Sequence, residues 1–176
     1  MQNKIVLLTI LVTFVALIIS FLIYNYYLGK KLQNNSTIDS IVVHKSQRTM
    51  AVYSNGRLLK IYQVALGKNP VGDKEFEGDN KTPEGFYTIN AKNPNSAYHK
   101  NLGVSYPDSA HIEAAAKQGK KAGGDIKIHG LRNGSGWRGK FHRLKDWTAG
   151  CIAVTDGEID ELFNTVQIGA KIEIKP

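Results

Sequence analysis

With 176 residues the chain has room for one globular domain and a short appendage. Three of its 23 Lys and Arg (Lys4, Lys30, Lys31) and none of its 15 Asp and Glu fall in residues 1–31, so a total of +8 leaves 20 cations against 15 acids beyond, a mild +5. That balance suits an anionic polymer or a membrane surface as readily as a solvated lysine-rich face; the absence of zinc-finger spacing argues against nucleic acid, and a single cysteine excludes an internal disulfide.

The appendage comes first. Ile5 to Leu28 is almost wholly apolar, broken only by Thr9, Thr13, Ser20 and Asn25. Its 24 residues, at about 1.5 Å of rise each, are enough to cross a hydrocarbon core of about 30 Å. Tyr24, Tyr26 and Tyr27 cluster at its end, where amphipathic rings favour the headgroup zone. No small-x-small cleavage site follows, so the segment reads as a retained single-pass anchor, residues 1–31, rather than a signal peptide. Residues 32–37 are a polar linker and residues 38–176 the domain.

Within the domain, Ile41–His44 is β-branched, and Met50–Ser54 and Leu58–Val64 flank Asn55-Gly56. That dipeptide between such runs predicts a type I′ hairpin, because both central positions need positive φ. Residues 67–85, with four glycines and two prolines among charges, predict a long loop. Phe86–Ile89 predicts a strand, residues 90–100 a loop and Leu102–Tyr106 a short strand. Asp108 or Ser109 caps a helix that Gly119 ends. The strand Ile126–His129, a glycine- and arginine-rich loop over 130–147 and the apolar run Ile152–Val154 follow. Thr155 and Glu158 then form a capping box, and Ile159, Leu162, Phe163 and Val166 make one helical stripe. Ile172–Ile174 closes as a strand. The sum is a mainly β domain with two peripheral helices behind one transmembrane helix.

Cys151 lies in Asp146-Trp147-Thr148-Ala149-Gly150-Cys151-Ile152. As the lone thiol of an exported chain it is inert filler, half of an intermolecular bridge, or a nucleophile. A nucleophilic thiol needs a base, and His129 stands 22 positions upstream at the end of a predicted strand. Gly130 gives the neighbouring backbone room, and Gly150 permits a sharp turn before the thiol, where backbone N–H groups can face an oxyanion. The histidines and aspartates lack ligand-like spacing, and thiol–imidazole chemistry requires neither a metal nor a cofactor. Arg132, Arg138, Lys140 and Arg143 lie between His129 and Cys151 and can clamp carboxylates, or can simply be a charged surface. His99 is a candidate substrate contact or second base. His142, in the basic loop, reads as solvated. Trp137 and Trp147 wall a groove or pack into the core.

The whole pattern, Ile128-His129-Gly130, a loop, then Thr148-Ala149-Gly150-Cys151-Ile152, resembles the L,D-transpeptidase catalytic domain of the YkuD type. Thr82-Pro83-Glu84-Gly85-Phe86 resembles that family's strand entry, and the Asp146-Trp147-Thr148 run resembles one branch of it. The resemblance covers roughly residues 38–175. It implies a β-rich, sandwich-like fold and acyl transfer on peptidoglycan stem peptides. Cys151 would be the nucleophile, His129 its base, and the Gly130 carbonyl the group that orients the ring. Trp147, Thr148, Gly150, Arg132 and His99 would contact substrate. The same resemblance implies a domain on the extracytoplasmic, periplasmic side of the cytoplasmic membrane.

Three positions depart from the commoner pattern: Ala149 where many members carry His, Ala153 where many carry Arg or Asn, and a longer spacer between His129 and Cys151. Cross-linking, hydrolysis of links at the stem diamino acid, and a non-catalytic wall-binding module therefore all stand as expectations. A redox thiol in an intermolecular disulfide is a further one.

Overall fold

A computed structural model describes residues 2–26, 31–33 and 35–176. Tyr27, Leu28 and Lys30, part of the expected anchor end, lie outside them. Helix α1 (Gln2–Tyr26) carries the apolar segment, and its span Gln2–Asn25 is long and apolar enough to cross a membrane.

Eight strands form one curled sheet: β1 (Ile38–His44), β2 (Thr49–Ser54), β3 (Arg57–Gln63), β4 (Gly85–Ser96), β5 (His99–Val104), β6 (Lys127–His129), β7 (Ile152–Ala153) and β8 (Val166–Lys175). Their order is β3-β2-β1-β8-β4-β5-β6-β7. The β2–β3 turn has Asn55 at φ 49° and Gly56 at φ 76°, as a type I′ hairpin demands. Strands β1 and β8 run parallel and the others on this side antiparallel. Strand β4 bends the sheet: its first residues pair with β8 and its later ones with β5.

The expected loop over 90–100 is instead the second half of β4, the β4–β5 turn and the start of β5. Asn90 and the Pro94-Asn95 pair fall where the β4–β5 register shifts, so irregular steps absorb residues that read poorly as strand. β8 likewise begins at Val166, earlier than the expected Ile172.

The curl closes on itself just past β3. Ala65 and Ala153 exchange N–H···O bonds of 3.0 and 2.8 Å, joining the end of β3 to β7 at the far end of the strand order. Ile41, Val43, Ile89, Leu102, Ile128, Ile152, Ile172 and Ile174 fill the interior, and helix α3 (Asp156–Thr165) lays Ile159 and Leu162 on it. Phe163 is only partly buried. The expected capping box is present, Thr155 and Glu158 bonding reciprocally. Helix α2 (Ser109–Lys117) is capped by Asp108, whose carboxylate accepts from His111 N–H.

The loop over 67–84 is held by buried charges rather than by strands. Lys45 donates to Gly72 O, Thr82 O and Glu84 Oε1, and Lys74 donates to Asp79 and to Phe76 O. Each ammonium spends its donors on fixed acceptors, which is what permits its burial.

Candidate active site

The turn carrying Cys151 is held from three directions. Leu66 O accepts from both Trp147 and Thr148 N–H, and Asp146 accepts Leu66 N–H at 2.9 Å. Arg48 donates to the same Asp146 carboxylate. Inside the turn, the Thr148 hydroxyl accepts Gly150 N–H at 3.1 Å and donates to Cys151 O at 2.7 Å. The Gly150 N–H is thereby used within the turn, and Thr148 is buried in it. Thr148→Val is expected to lower stability by about 1–2 kcal/mol, because the buried Gly150 N–H loses its acceptor. Chemical unfolding measures that loss, and the loosened thiol should alkylate severalfold faster.

Strands β6 and β7 run parallel, with Ile128 opposite Ile152 and His129 opposite Ala153. Cys151, one step before Ile152, therefore stands opposite Lys127 and shares a face with His129, two positions away along the strand. A rise of about 3.3 Å per residue and a strand spacing of about 4.8 Å put the two Cα atoms on the order of 8 Å apart. The thiol's own hydrogen bond runs to Asp125 O at 3.6 Å. Burial pushes the thiol pKa up, reinforced by the Asp125 carboxylate; Lys127 N–H, pointing at the sulfur, and the Lys127 and Lys74 cations oppose this. Although partly sheltered, Cys151 is not sealed in hydrocarbon.

His129 is 4% exposed, and its Nδ1 lies 2.6 Å from Gly130 O. A carbonyl can only accept, so Nδ1 carries the proton and Nε2 keeps its lone pair. Burial holds the imidazole below its usual pKa, while the Gly130 bond partly offsets that. Gly130 has no room for a side chain: a Cβ there would meet Asp156 Oδ1 at 2.7 Å.

An aromatic wall stands beside this pair. The Tyr98 ring lies 4.6 Å from that of His129, and Trp147 sits edge-on to His129 at 5.7 Å. Trp147 Nε1–H donates to His142 Nδ1 at 3.3 Å. His142 is thus no solvated histidine but a 6%-exposed one, with its pKa pushed down to about 3 by burial first and the Arg143 cation second. Arg143 is tied to Glu158, so it braces the loop on α3. His99 turns its Nε2 to Asp160 at 2.9 Å, also on α3. Arg132 lines a cavity of about 870 Å³ with Tyr98, Trp147 and His142. The role of Lys127, whose N–H points at the thiol, has no sequence signal and is set only by its place opposite Cys151. Among the described residues no group of three His, Cys, Asp or Glu is arranged to hold a metal.

The curled sheet thus sets a lone thiol and a tautomer-locked imidazole on one face of paired strands. The model of the L,D-transpeptidase catalytic domain, YkuD, matches residues 38–174, and the chain belongs to that family. It is 30% identical over 132 residues to "Putative L,D-transpeptidase YafK" of Escherichia coli K12, covering 72% of this chain and 46% of that protein. It is 28% identical over 137 residues to "Putative L,D-transpeptidase YqjB" of Bacillus subtilis, covering 76% and 69%. The helical cell shape determining protein Pgp2 of Campylobacter jejuni has a similar structure, with a TM-score of 0.61 and 27% identity over 81% of this chain and 49% of that one. The chain thus spans about half the length of two of these three.

Proposed function

We propose that the chain is a membrane-anchored cysteine acyltransferase acting on peptidoglycan stem peptides. Residues 1–31 serve as anchor, 32–37 as linker and 38–176 as the catalytic domain on the periplasmic side. The observation that carries the reading is the Nδ1–H···O=C bond from His129 to Gly130, which leaves Nε2 as an acceptor on the face that Cys151 shares.

Burial raises the thiol and lowers the imidazole, so the resting pair is neutral. Cys151 then loses its proton to His129 Nε2 as the sulfur attacks the stem carbonyl, in general-base fashion. The imidazolium returns that proton to the departing amine, and a thioester remains on Cys151. A side-chain amine of a second stem takes up the acyl group to give a cross-link; water takes it up to give a shortened stem. Trp147 and Tyr98 supply the wall against which the stem lies, and Arg132 a cation for its carboxylates. Thr148 and Gly150 act by shaping the turn. His99, paired to Asp160, contributes at the rim.

Hydrolysis is the second reading, favoured by Ala149 and Ala153, which supply no polar group to hold an acceptor stem. Incubating the full chain with tetrapeptide-rich sacculi and analysing muropeptides by mass spectrometry separates the two. New 3→3 dimers mean transfer, and shortened or released stems mean hydrolysis. Identical products from the chain and from buffer would sink both in favour of a wall-binding module.

The pH profile follows from the same shifts. A base whose pKa is depressed stays unprotonated to lower pH, so the acid limb of kcat/KM should fall below pH 6.5, the ordinary histidine value. On the alkaline side the raised thiol pKa leaves activity flat or rising. An acid limb above 6.5 would show that another base does the work, and a fall on the alkaline side would show a preformed thiolate–imidazolium pair, whose imidazolium must stay protonated.

A further inference from the structure

The outer end of α1 is docked on the loop that walls the catalytic groove. Phe21 stacks on Phe141 with ring centroids 4.3 Å apart and an interplanar angle of 15°. Asn25 donates to Trp137 O at 3.3 Å and accepts Lys140 N–H at 2.6 Å, and the Lys140 ammonium lies over the Tyr24 ring. Gly139, at φ 47°, is the point of closest approach: a Cβ there would meet Asn25 Oδ1 at 2.3 Å.

Depth follows from these contacts. A residue that touches Phe21 of a spanning helix lies at the depth of Phe21, which is four residues, or about 6 Å of rise, from Asn25. That is the headgroup layer. The segment Gly136–Leu144 presents to the same layer Trp137, 69% exposed, and Leu144, 84% exposed. Arg138 lies beside Trp137, with its guanidinium 6.0 Å from the ring.

Between the helix and this segment lies the 870 Å³ cavity, lined by Phe21 and Asn25 on one side and by Trp137, Arg138, Leu144 and Lys145 on the other. Among the described residues Arg132 also lines it and no acidic residue does, so its charge is of one sign. His142 closes the inner end. With Nδ1 accepting from Trp147, its Nε2 carries the proton, is buried, and finds no hydrogen-bond partner among the described residues. A buried unpaired donor is costly unless something accepts from it.

We propose that the part of this cavity facing the helix seats the anionic headgroup of a membrane phospholipid, its phosphate between Arg138, Lys145 and the inner wall at His142, its chains leaving past Phe21, Trp137 and Leu144, with Arg132 left on the stem side. The seat backs on Trp147, the residue that borders His129, so the lipid would hold the wall of the catalytic groove at the membrane surface. The proposal rests on the anchor reading made above.

The full chain, reconstituted in phosphatidylcholine vesicles, tests it through Trp137 fluorescence, with brominated phosphatidylglycerol or brominated phosphatidylcholine as the quencher at equal mole fraction. Alkaline carbonate extraction first reports whether the chain is integral; release of the chain overturns the anchor reading and this one with it. For an integral chain, quenching should be stronger by the anionic lipid, and the excess should vanish in Trp137→Phe. Arg138→Gln or Lys145→Gln should each cut the anionic preference roughly 5-fold, the usual worth of one interfacial cation. Equal quenching by both lipids, with no change in either variant, overturns the headgroup seat while leaving the anchor intact. So does a Trp137 that stays open to aqueous iodide and is shielded only by added muropeptide.

Discussion

Cys151→Ala is expected to abolish muropeptide turnover, lowering kcat by at least about 10³-fold, and to leave no acyl adduct when the chain is incubated with a carbapenem β-lactam. Intact-protein mass spectrometry reads the adduct directly. The size of the effect follows from the site's construction. No second thiol exists in the chain to replace the first. On the proposed reading the wall formed by Tyr98 and Trp147 would still position a stem peptide, but it forms no covalent bond. The fold should be indifferent, since Cys151 is only half-buried and its turn is held by Thr148, Asp146 and Leu66. A Cys151→Ala chain with unchanged melting and undiminished product formation would remove acyl-enzyme chemistry from the account altogether.

The elements legible in the sequence are those set by local chemistry. Asn55-Gly56 requires positive φ at both positions, Asp108 and Thr155 cap by short-range hydrogen bonds, and Ile159 and Leu162 repeat at helical spacing. What escaped is set by partners far along the chain. The second half of β4 contains Asn90 and Pro94, poor strand residues, yet β5 and two register shifts carry them. His142 sits in a basic loop that reads as solvated, yet it is buried and hydrogen-bonded to the Trp147 ring, a contact the loop's composition does not announce.

The candidate site divides the same way. Gly-Cys and His-Gly are visible as dipeptides, because Gly150 holds a positive φ and Gly130 has no room for a Cβ. Their meeting is not visible, since it depends on β6 and β7 lying parallel although the two residues are 22 positions apart in the chain. Nor is the depth of the thiol. Its environment is set by Asp125 before β6, by Lys127 at the start of β6 and by Lys74 from the loop over 67–84, and no pattern around Cys151 announces any of them.

Gly150→Ala is expected to lower stability by about 3 kcal/mol and to erase activity with it. Two penalties coincide there. Gly150 sits at φ 138°, a backbone conformation that side chains disfavour, and an added Cβ would lie 2.7 Å from Lys81 O and 3.2 Å from Ile126 Cδ1. The Lys81 carbonyl cannot retreat cheaply. Its neighbour Asn80 presses on Gly67, whose own Cβ would meet Asn80 O at 2.2 Å, and Asp79 fixes Lys81 N–H at 3.0 Å. The turn would therefore have to move instead, taking Cys151 off the face it shares with His129. Gly134→Ala supplies the control, because Gly134 has a positive φ of 82° but nothing within 4 Å of the added carbon. It bears the backbone penalty alone, about 1 kcal/mol, and should keep its activity. Thermal unfolding of the two variants beside the parent chain separates conformational strain from steric contact. Equal losses in both would mean that the packing of residues 67, 80, 81 and 150 does not hold the thiol in place.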